Sequence, residues 1–421
     1  MSVRGEGVLV FDLGSVSLRV GRAVDKDPMA EIPSVVGVSI KGTAANSDSA
    51  KPNDNRINKN IKYYIGEKSL SVPRPGMEVK NCVKDCMIDD WDLFEQMLDY
   101  AYSNCLAVES HCYPVLFTEW VLNTKPKRET LVELMFEKYN LPAIYLCNSG
   151  SLATIGLKCS TALVIDCGAT HTSVIPVNSC SVVSDAISKS PVGGDFINME
   201  CKQYFKDNKI EVIPRYMIGQ ILKVKQKQKP IWTVKKNIPE VTNSWHNYMC
   251  KSVIQEFQHS VLEVYDRPYT EVATSLMPTL NYTFTTGYSQ RFGHEQFKIP
   301  EVLFNPSPNM DKSILGLADM VVSTIGKCDA NIKSDLFNHI IITGGNSLIR
   351  SFVERLVYDV TVRVPDKTKM RFIAPYNLTK RRFGAWYGGK CLASTPSFQH
   401  LWLNKCEYTD RGKSIIHEKC D

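Results

Sequence analysis

The chain has 421 residues, enough for about two or three domain-sized units. At 43% hydrophobic and 22% charged it has the balance of a soluble globular protein with ample core. A net charge of +6, from 50 basic and 44 acidic residues, is too mild to argue for a nucleic-acid partner by itself, and no apolar run approaches the roughly 20 residues of a membrane helix. The opening Met1-Ser2-Val3-Arg4 leads straight toward a strand, so no signal or transit segment is expected. The fourteen cysteines contain no Cys-x-x-Cys pair, and Cys82-x-x-x-Cys86 lacks a second pair at zinc spacing. Several, among them Cys147, Cys167, Cys250 and Cys391, fall in apolar runs, which predicts reduced and mostly buried thiols.

In chain order, the first element is an apolar run, Val8 to Leu13, ending in Asp12-Leu13-Gly14-Ser15. It predicts a buried strand entering a tight turn, with a carboxylate at the strand's end and backbone N–H groups at the turn, the arrangement that grips a polyphosphate and its hydrated Mg²⁺. Residues 42–60 are polar and predict a surface loop. Asp89 and Asp90 start a helix whose apolar positions (Trp91, Phe94, Leu98, Ala101, Tyr102, Cys105) recur at helical spacing. Pro114 to Thr118 reads as a buried strand, and Lys127 to Tyr139 as a helix with Leu131, Leu134, Met135 and Tyr139 inward.

The first theme then returns. Leu163-Val164-Ile165-Asp166-Cys167-Gly168-Ala169-Thr170-His171-Thr172 is a second apolar run with its own Asp-x-Gly turn, continued by a hairpin strand from Ser173 to Pro176. Gly193-Gly194-Asp195 opens a helix running through Phe205. Between Glu211 and Glu240 there is no acidic residue, whereas Arg215, Lys223, Lys225, Lys227, Lys229, Lys235 and Lys236 fall there. The stretch is either a solvated loop or a patch for nucleic acid or an acidic partner. Asn243 caps a long helix with Trp245, Tyr248, Met249, Val253, Phe257, Val261 and Val264 spaced for one buried face. Tyr282–Phe284 and Gln296–Ile299 predict a hairpin around a Gly-Tyr turn. Ile340-Ile341-Ile342-Thr343-Gly344-Gly345-Asn346 is a third strand-to-glycine turn, and the chain ends in a polar tail with Lys413, Lys419 and Cys420.

This ordered set resembles the actin family, from about Val8 to Cys420. The resemblance is carried by Phe11-Asp12-Leu13-Gly14-Ser15, Tyr64-Ile65-Gly66, His111 to Leu116, Asp166 to Thr172, Gly344-Gly345-Asn346-Ser347 and Trp402 to Tyr408. It implies the α/β actin/sugar-kinase/heat-shock ATPase fold, two pseudo-repeated domains around a nucleotide cleft. The expected division is a first domain at 1–160, a second at 161–378 with a basic insertion at 212–239, and a segment 379–421 returning to the first. Val241 to Cys250, Val253 to Gln258 and Arg381-Arg382-Phe383 look like the nuclear actin-related branch found in Brahma-type SWI/SNF and Domino-type remodelers and in histone acetyltransferase complexes. That resemblance implies a nuclear scaffold in transcription regulation, partnered by monomeric actin, a helix of the motor ATPase and other complex subunits, with no self-filament and no membrane.

By the same resemblance, the expectation is ATP with Mg²⁺ as a structural ligand, or else an empty cleft. Its site would be Asp12, Gly14, Ser15, Arg19, Asp166, Gly168, Ala169, Thr170, His171, Gly193, Gly344, Gly345, Asn346 and Arg382, with Asp12 and Asp166 holding the metal through water. Departures from the family pattern argue against hydrolysis. Ser149 stands where actin has a water-positioning glutamine, and the second phosphate turn is two residues shorter. Val16 replaces a glycine, and Arg19 stands at a lysine position. His171 is then a satisfied structural histidine, with water positioning as the functional alternative. The competing function is a cytoskeletal actin relative that hydrolyses ATP and forms filaments; a sugar kinase would need a catalytic carboxylate for which no motif is found.

Overall fold

The computed structural model describes residues 7–40, 61–306, 311 and 313–420. The polar stretch at 42–60 lies outside them. Two large mixed sheets carry the molecule. Across the first, the order is Leu403–Asn404, Ala143–Asn148, Val115–Glu119, Leu9–Leu13, Ser17–Arg22 and Ala30–Pro33. Across the second it is Ser181–Val182, Thr172–Asn178, Ala162–Cys167, Ile340–Thr343 and Phe372–Ile373, with Ser188–Ser190 added beside Thr172–Asn178.

The sheets share one plan. In each, an apolar central strand ends at an aspartate, turns back antiparallel through a glycine turn, and pairs in parallel with a later strand on its other side. Asp12 lies opposite Arg19 on one neighbour and Thr118 on the other; Asp166 lies opposite Ser173 and Thr343. Burial on both faces explains why these strands read as continuous apolar runs, since Leu9, Val10 and Phe11, like Leu163, Val164 and Ile165, have almost no exposed surface.

The helices cover the sheets largely where periodicity placed them. Asp90 caps Trp91–Tyr100 by accepting from the Leu93 amide at 3.0 Å, but the expected continuation to Cys105 widens into a π-helix, Ala101–Leu106. The next helix runs Lys125–Glu137, and the helix after the Gly193-Gly194 turn runs Gly194–Asp207. Three expectations are corrected. The long helix is Asn243–Val261, and its cap is Thr242, whose hydroxyl accepts from the Trp245 amide at 3.3 Å, so Asn243 is the first helical residue. The hairpin after Tyr282 pairs Leu280–Thr283 with Ser289–Phe292, while Gln296 to Lys298 is helical. A tight turn at Thr286-Gly287, with Gly287 at φ +85°, closes the hairpin before the apolar run that had been paired with it. The C-terminal tail is also built into the first domain: Ile415, Ile416 and Cys420 are buried, and the Cys420 thiol accepts the Leu146 amide at 3.3 Å.

Two helices join the halves beneath the cleft, Ser149–Gly156 and Gly384–Ala393. They touch backbone to backbone, because a Cβ on Gly388 would stand 1.8 Å from the Leu152 carbonyl oxygen. Above the cleft, a small three-stranded sheet (Val35–Ile40, Ile61–Tyr64, Glu78–Asn81) meets the start of the Asn243–Val261 helix. There Thr242 Oγ1 donates to the Met77 carbonyl at 2.5 Å, Ser244 Oγ accepts the Val79 amide at 3.0 Å, and the buried Trp245 Nε1 donates to the Leu70 carbonyl at 2.6 Å. Among the described residues, no helix is long and apolar enough to cross a membrane, and every cysteine is a free thiol. Cys147 and Cys167 are buried as expected, but Cys391 is exposed, since the helix carrying it buries its other face.

Candidate functional site: a cleft between two glycine turns

The two Asp-x-Gly turns face one another across the cleft. At the first, Gly14 N–H donates to Ser17 O at 2.9 Å; at the second, Gly168 N–H donates to His171 O at 3.0 Å. These bonds close the turns and consume both glycine amides. The Ser15 amide faces the Cys86 sulfur, whereas the amides of Val16, Ala169 and Thr170 have no protein acceptor among the described residues and stay available to an anion. The turns also touch: Ser15 Oγ and Thr170 Oγ1 are 2.9 Å apart. Cys86 wedges beside them, its sulfur 2.8 Å from Ser15 Oγ.

Arg19 reaches under the first turn to Asp12. Its Nε and Nη2 donate to Asp12 Oδ2 at 2.9 and 2.5 Å, while Thr118 Oγ1 donates to Asp12 Oδ1 at 2.7 Å. Both oxygens of this carboxylate, which had been expected to orient metal-bound water, thus have protein donors. The Asp166 side chain has no hydrogen bond or ion pair among the described residues. Burial, and then the nearby Asp12, push its pKa up to about 6, against the pull of Arg19. His171 is buried, its Nδ1 3.1 Å from Thr170 Oγ1 and its ring 5.0 Å from that of Trp120. Burial, followed by the charge of Lys189, lowers its pKa to about 4, so it is neutral at physiological pH.

The remaining predicted residues mostly buttress the second turn. A Cβ on Gly193 would lie 2.5 Å from Ala169 O, and one on Gly344 2.5 Å from Cys167 O and 2.6 Å from Asp166 Oδ1. Gly344 has φ +91°, a second reason for glycine there. Asn346 Nδ2 donates to Gly168 O at 2.7 Å. Gly345 alone of these glycines has open space around its Cβ position. Arg382 borders the cavity and pairs with Glu31 at 2.7 Å. Ser149 also lines the cavity, at the start of its helix. The cavity itself is about 80 Å³, room for a few waters.

Sequence reasoning missed Cys86, Glu119 and Trp120, which also line the cavity. Glu119 ends the Val115–Glu119 strand and is held by Arg128 at 3.1 Å; the carboxylates near the ends of Leu9–Leu13 and Ala162–Cys167 were the signal that could have found it. Cys86 had no such signal, because its turn is made by two non-glycine residues at positive φ, Asp85 and Cys86. Among the described residues, no three His, Cys, Asp or Glu side chains gather as a metal cluster.

The basic residues lie away from the cleft. The loop expected there is a hairpin, Ile218–Leu222 with Ile231–Val234. Arg215 is spent on Glu256 at 2.7 Å, whereas Lys223, Lys225, Lys227, Lys229, Lys235 and Lys236 are exposed and form no ion pair among the described residues. Ile221, Leu222, Ile231 and Val234 are exposed beside them.

Comparison with known proteins agrees with the paired turns. The family model "Actin" matches residues 4–421. Actin-related protein 4 of Arabidopsis thaliana is 34% identical over 435 residues, covering 98% of each chain. The SWI/SNF and RSC complexes subunit arp42 of Schizosaccharomyces pombe is 32% identical over 432 residues, again covering 98% of each. Actin-related protein 4 of Yarrowia lipolytica is 30% identical, covering 98% of this chain and 95% of that one. With two strand-turn-strand halves around one cleft and relatives aligned nearly end to end, the chain belongs to the actin family, among homologues of actin-related protein 4.

Proposed function

We propose that this chain is a non-catalytic scaffold subunit of nuclear chromatin-remodeling complexes, and of related histone acetyltransferase complexes, acting in transcription regulation. In this role it pairs with monomeric actin on a helix of the motor ATPase and contacts the other subunits. The observation that carries the proposal is the end-to-end similarity to a relative named as a SWI/SNF and RSC subunit. The cleft supports the non-catalytic part. Hydrolysis needs a polar group holding water in line with the γ-phosphate. Ser149 is short for that task, and His171 is neutral, buried and turned to Thr170 and Trp120.

ATP, in this proposal, is a structural ligand. The free amides of Val16, Ala169 and Thr170 suit its phosphates, with Arg19 and Arg382 as nearby cations. At about 80 Å³ the cavity is well below the roughly 300 Å³ at which ligand pockets begin, so entry requires the cleft to open. When bound, the polyanion would cross-link the two halves.

The exposed lysines of the Ile218–Val234 hairpin support a nucleosomal DNA contact. Such binding weakens as salt rises, and neutralising Lys223, Lys225, Lys227 and Lys229 together weakens it further; unchanged DNA affinity in that variant removes this contact from the proposal.

The deciding experiment is affinity purification of the tagged chain from nuclear extract, with mass spectrometry of what accompanies it. Actin together with a remodeler motor supports the scaffold. Filament-binding proteins without remodeler subunits, or rapid phosphate release and pelleting with Mg-ATP, support the cytoskeletal alternative instead.

A further inference from the structure

The floor of the cleft already contains a cation. The Arg19 and Asp12 side chains are 14% and 4% exposed, and one guanidinium places two N–H groups on Asp12 Oδ2 while Thr118 holds Oδ1. Arg19 Nη1 also donates to Ser17 O at 3.1 Å. A Cβ on Gly14 would come within 2.8 Å of Nη1, so the missing side chain there is what lets the guanidinium lie under the turn. A hydrated divalent cation needs carboxylate oxygens free to accept from its waters. Three donors already take up most of the acceptor capacity of Asp12, and of the other acidic groups on the cavity Glu119 is paired with Arg128, which leaves Asp166. Arg19, by contrast, borders the cavity with an N–H to spare on Nη2, since a guanidinium carries five and the structure gives it four bonds, two to Asp12 and two from Nη1 to Ser17.

We propose that Arg19 takes the place of the divalent cation, so that this cleft binds a nucleoside polyphosphate as the metal-free anion. Arg19 supplies the fixed counter-charge, and the amides of the two turns supply the remaining donors. This inference rests on the nucleotide reading above and adds that binding needs no metal. A guanidinium fork suits the role because it spans Asp12 and a phosphate oxygen at once, which a lysine point charge does not.

The test is equilibrium binding of ATP to the full chain, by calorimetry, in excess EDTA and in excess Mg²⁺. The expected result is affinities within about threefold of each other, a difference below one factor of ten and so below about one logarithmic unit of binding constant. Arg19→Ala should lose about tenfold or more in EDTA, and Arg19→Lys should become dependent on Mg²⁺ as an Asp12 oxygen is freed. Tight binding by the wild-type chain in Mg²⁺ with loss of more than about tenfold in EDTA overturns the inference and leaves the nucleotide reading standing. Absence of binding in both buffers overturns both. Thermal unfolding checks that the variants are folded; if Arg19→Ala is not, the wild-type comparison of EDTA with Mg²⁺ decides alone.

Discussion

At the first turn the residue across the sheet from the aspartate is Arg19; at the second, the equivalent residue is Ser173. The strands, the glycine turns and the parallel partners follow one plan, yet the consequences differ. Asp12 is neutralised on the spot, whereas Asp166 is left without a partner and holds its proton up to about pH 6. One register position therefore sets the charge of each half of the cleft, independently of the backbone that builds it. The second turn gains its rigidity from packing instead, through Gly193, Gly344 and Asn346.

The largest effect should come from breaking that packing. Gly344→Val combines a β-branched residue at φ +91° with a Cβ 2.5 Å from a carbonyl oxygen, and should cost about 4 kcal/mol or more by denaturant unfolding. Gly345→Ala, one residue on and with open space at its Cβ, should cost no more than about 1 kcal/mol. Equal losses at the two sites would show that the crowding is not what holds the turn.

Titration sharpens the electrostatic contrast. Asp166 has a folded pKa of about 6, above its unfolded value near 4, so the native state binds the extra proton and this group lowers stability as pH rises from about 4 to 6. His171 has a folded pKa of about 4, below its unfolded value near 6.5, so its contribution is present above that value and is lost as pH falls toward 4. Each is worth on the order of 3 kcal/mol, with opposite sign over nearly the same window. Asp166→Asn should therefore make stability rise more steeply with pH between 4 and 6 than in the wild type, and His171→Gln should make it fall; parallel wild-type and variant profiles would refute the assignment. The smallest effect should be at the bridge between the turns. Ser15→Ala should cost about 1 kcal/mol and speed amide exchange on both turns, whereas faster exchange on the first turn alone would mean the Ser15–Thr170 bond does not couple them.

Much of this was legible because buried strands ending in Asp-x-Gly leave a pattern in the chain. The two central strands were visible that way, the Gly344 turn through its Gly-Gly pair after an apolar run, and the Asp90 cap through the helical periodicity that follows it. The pairing of Arg19 with Asp12 was not, although both residues were singled out, because it depends on the register across the hairpin and on a side chain's direction. The Cys86 turn was hidden because left-handed residues other than glycine carry no compositional mark. Thr242 and Asn243 are both good caps, and tertiary contact with Met77 decided between them.

That same contact sets a clock. Trp245 and Thr242 fasten one half of the mouth to Leu70 and Met77 of the other. On the proposed nucleotide reading, exit of the ligand should wait on the opening of these seats, which would make its residence time depend on a tryptophan remote from the phosphate turns. Trp245→Phe, which keeps the ring and loses the N–H, should shorten dwell time through the exit rate more than it weakens affinity at equilibrium.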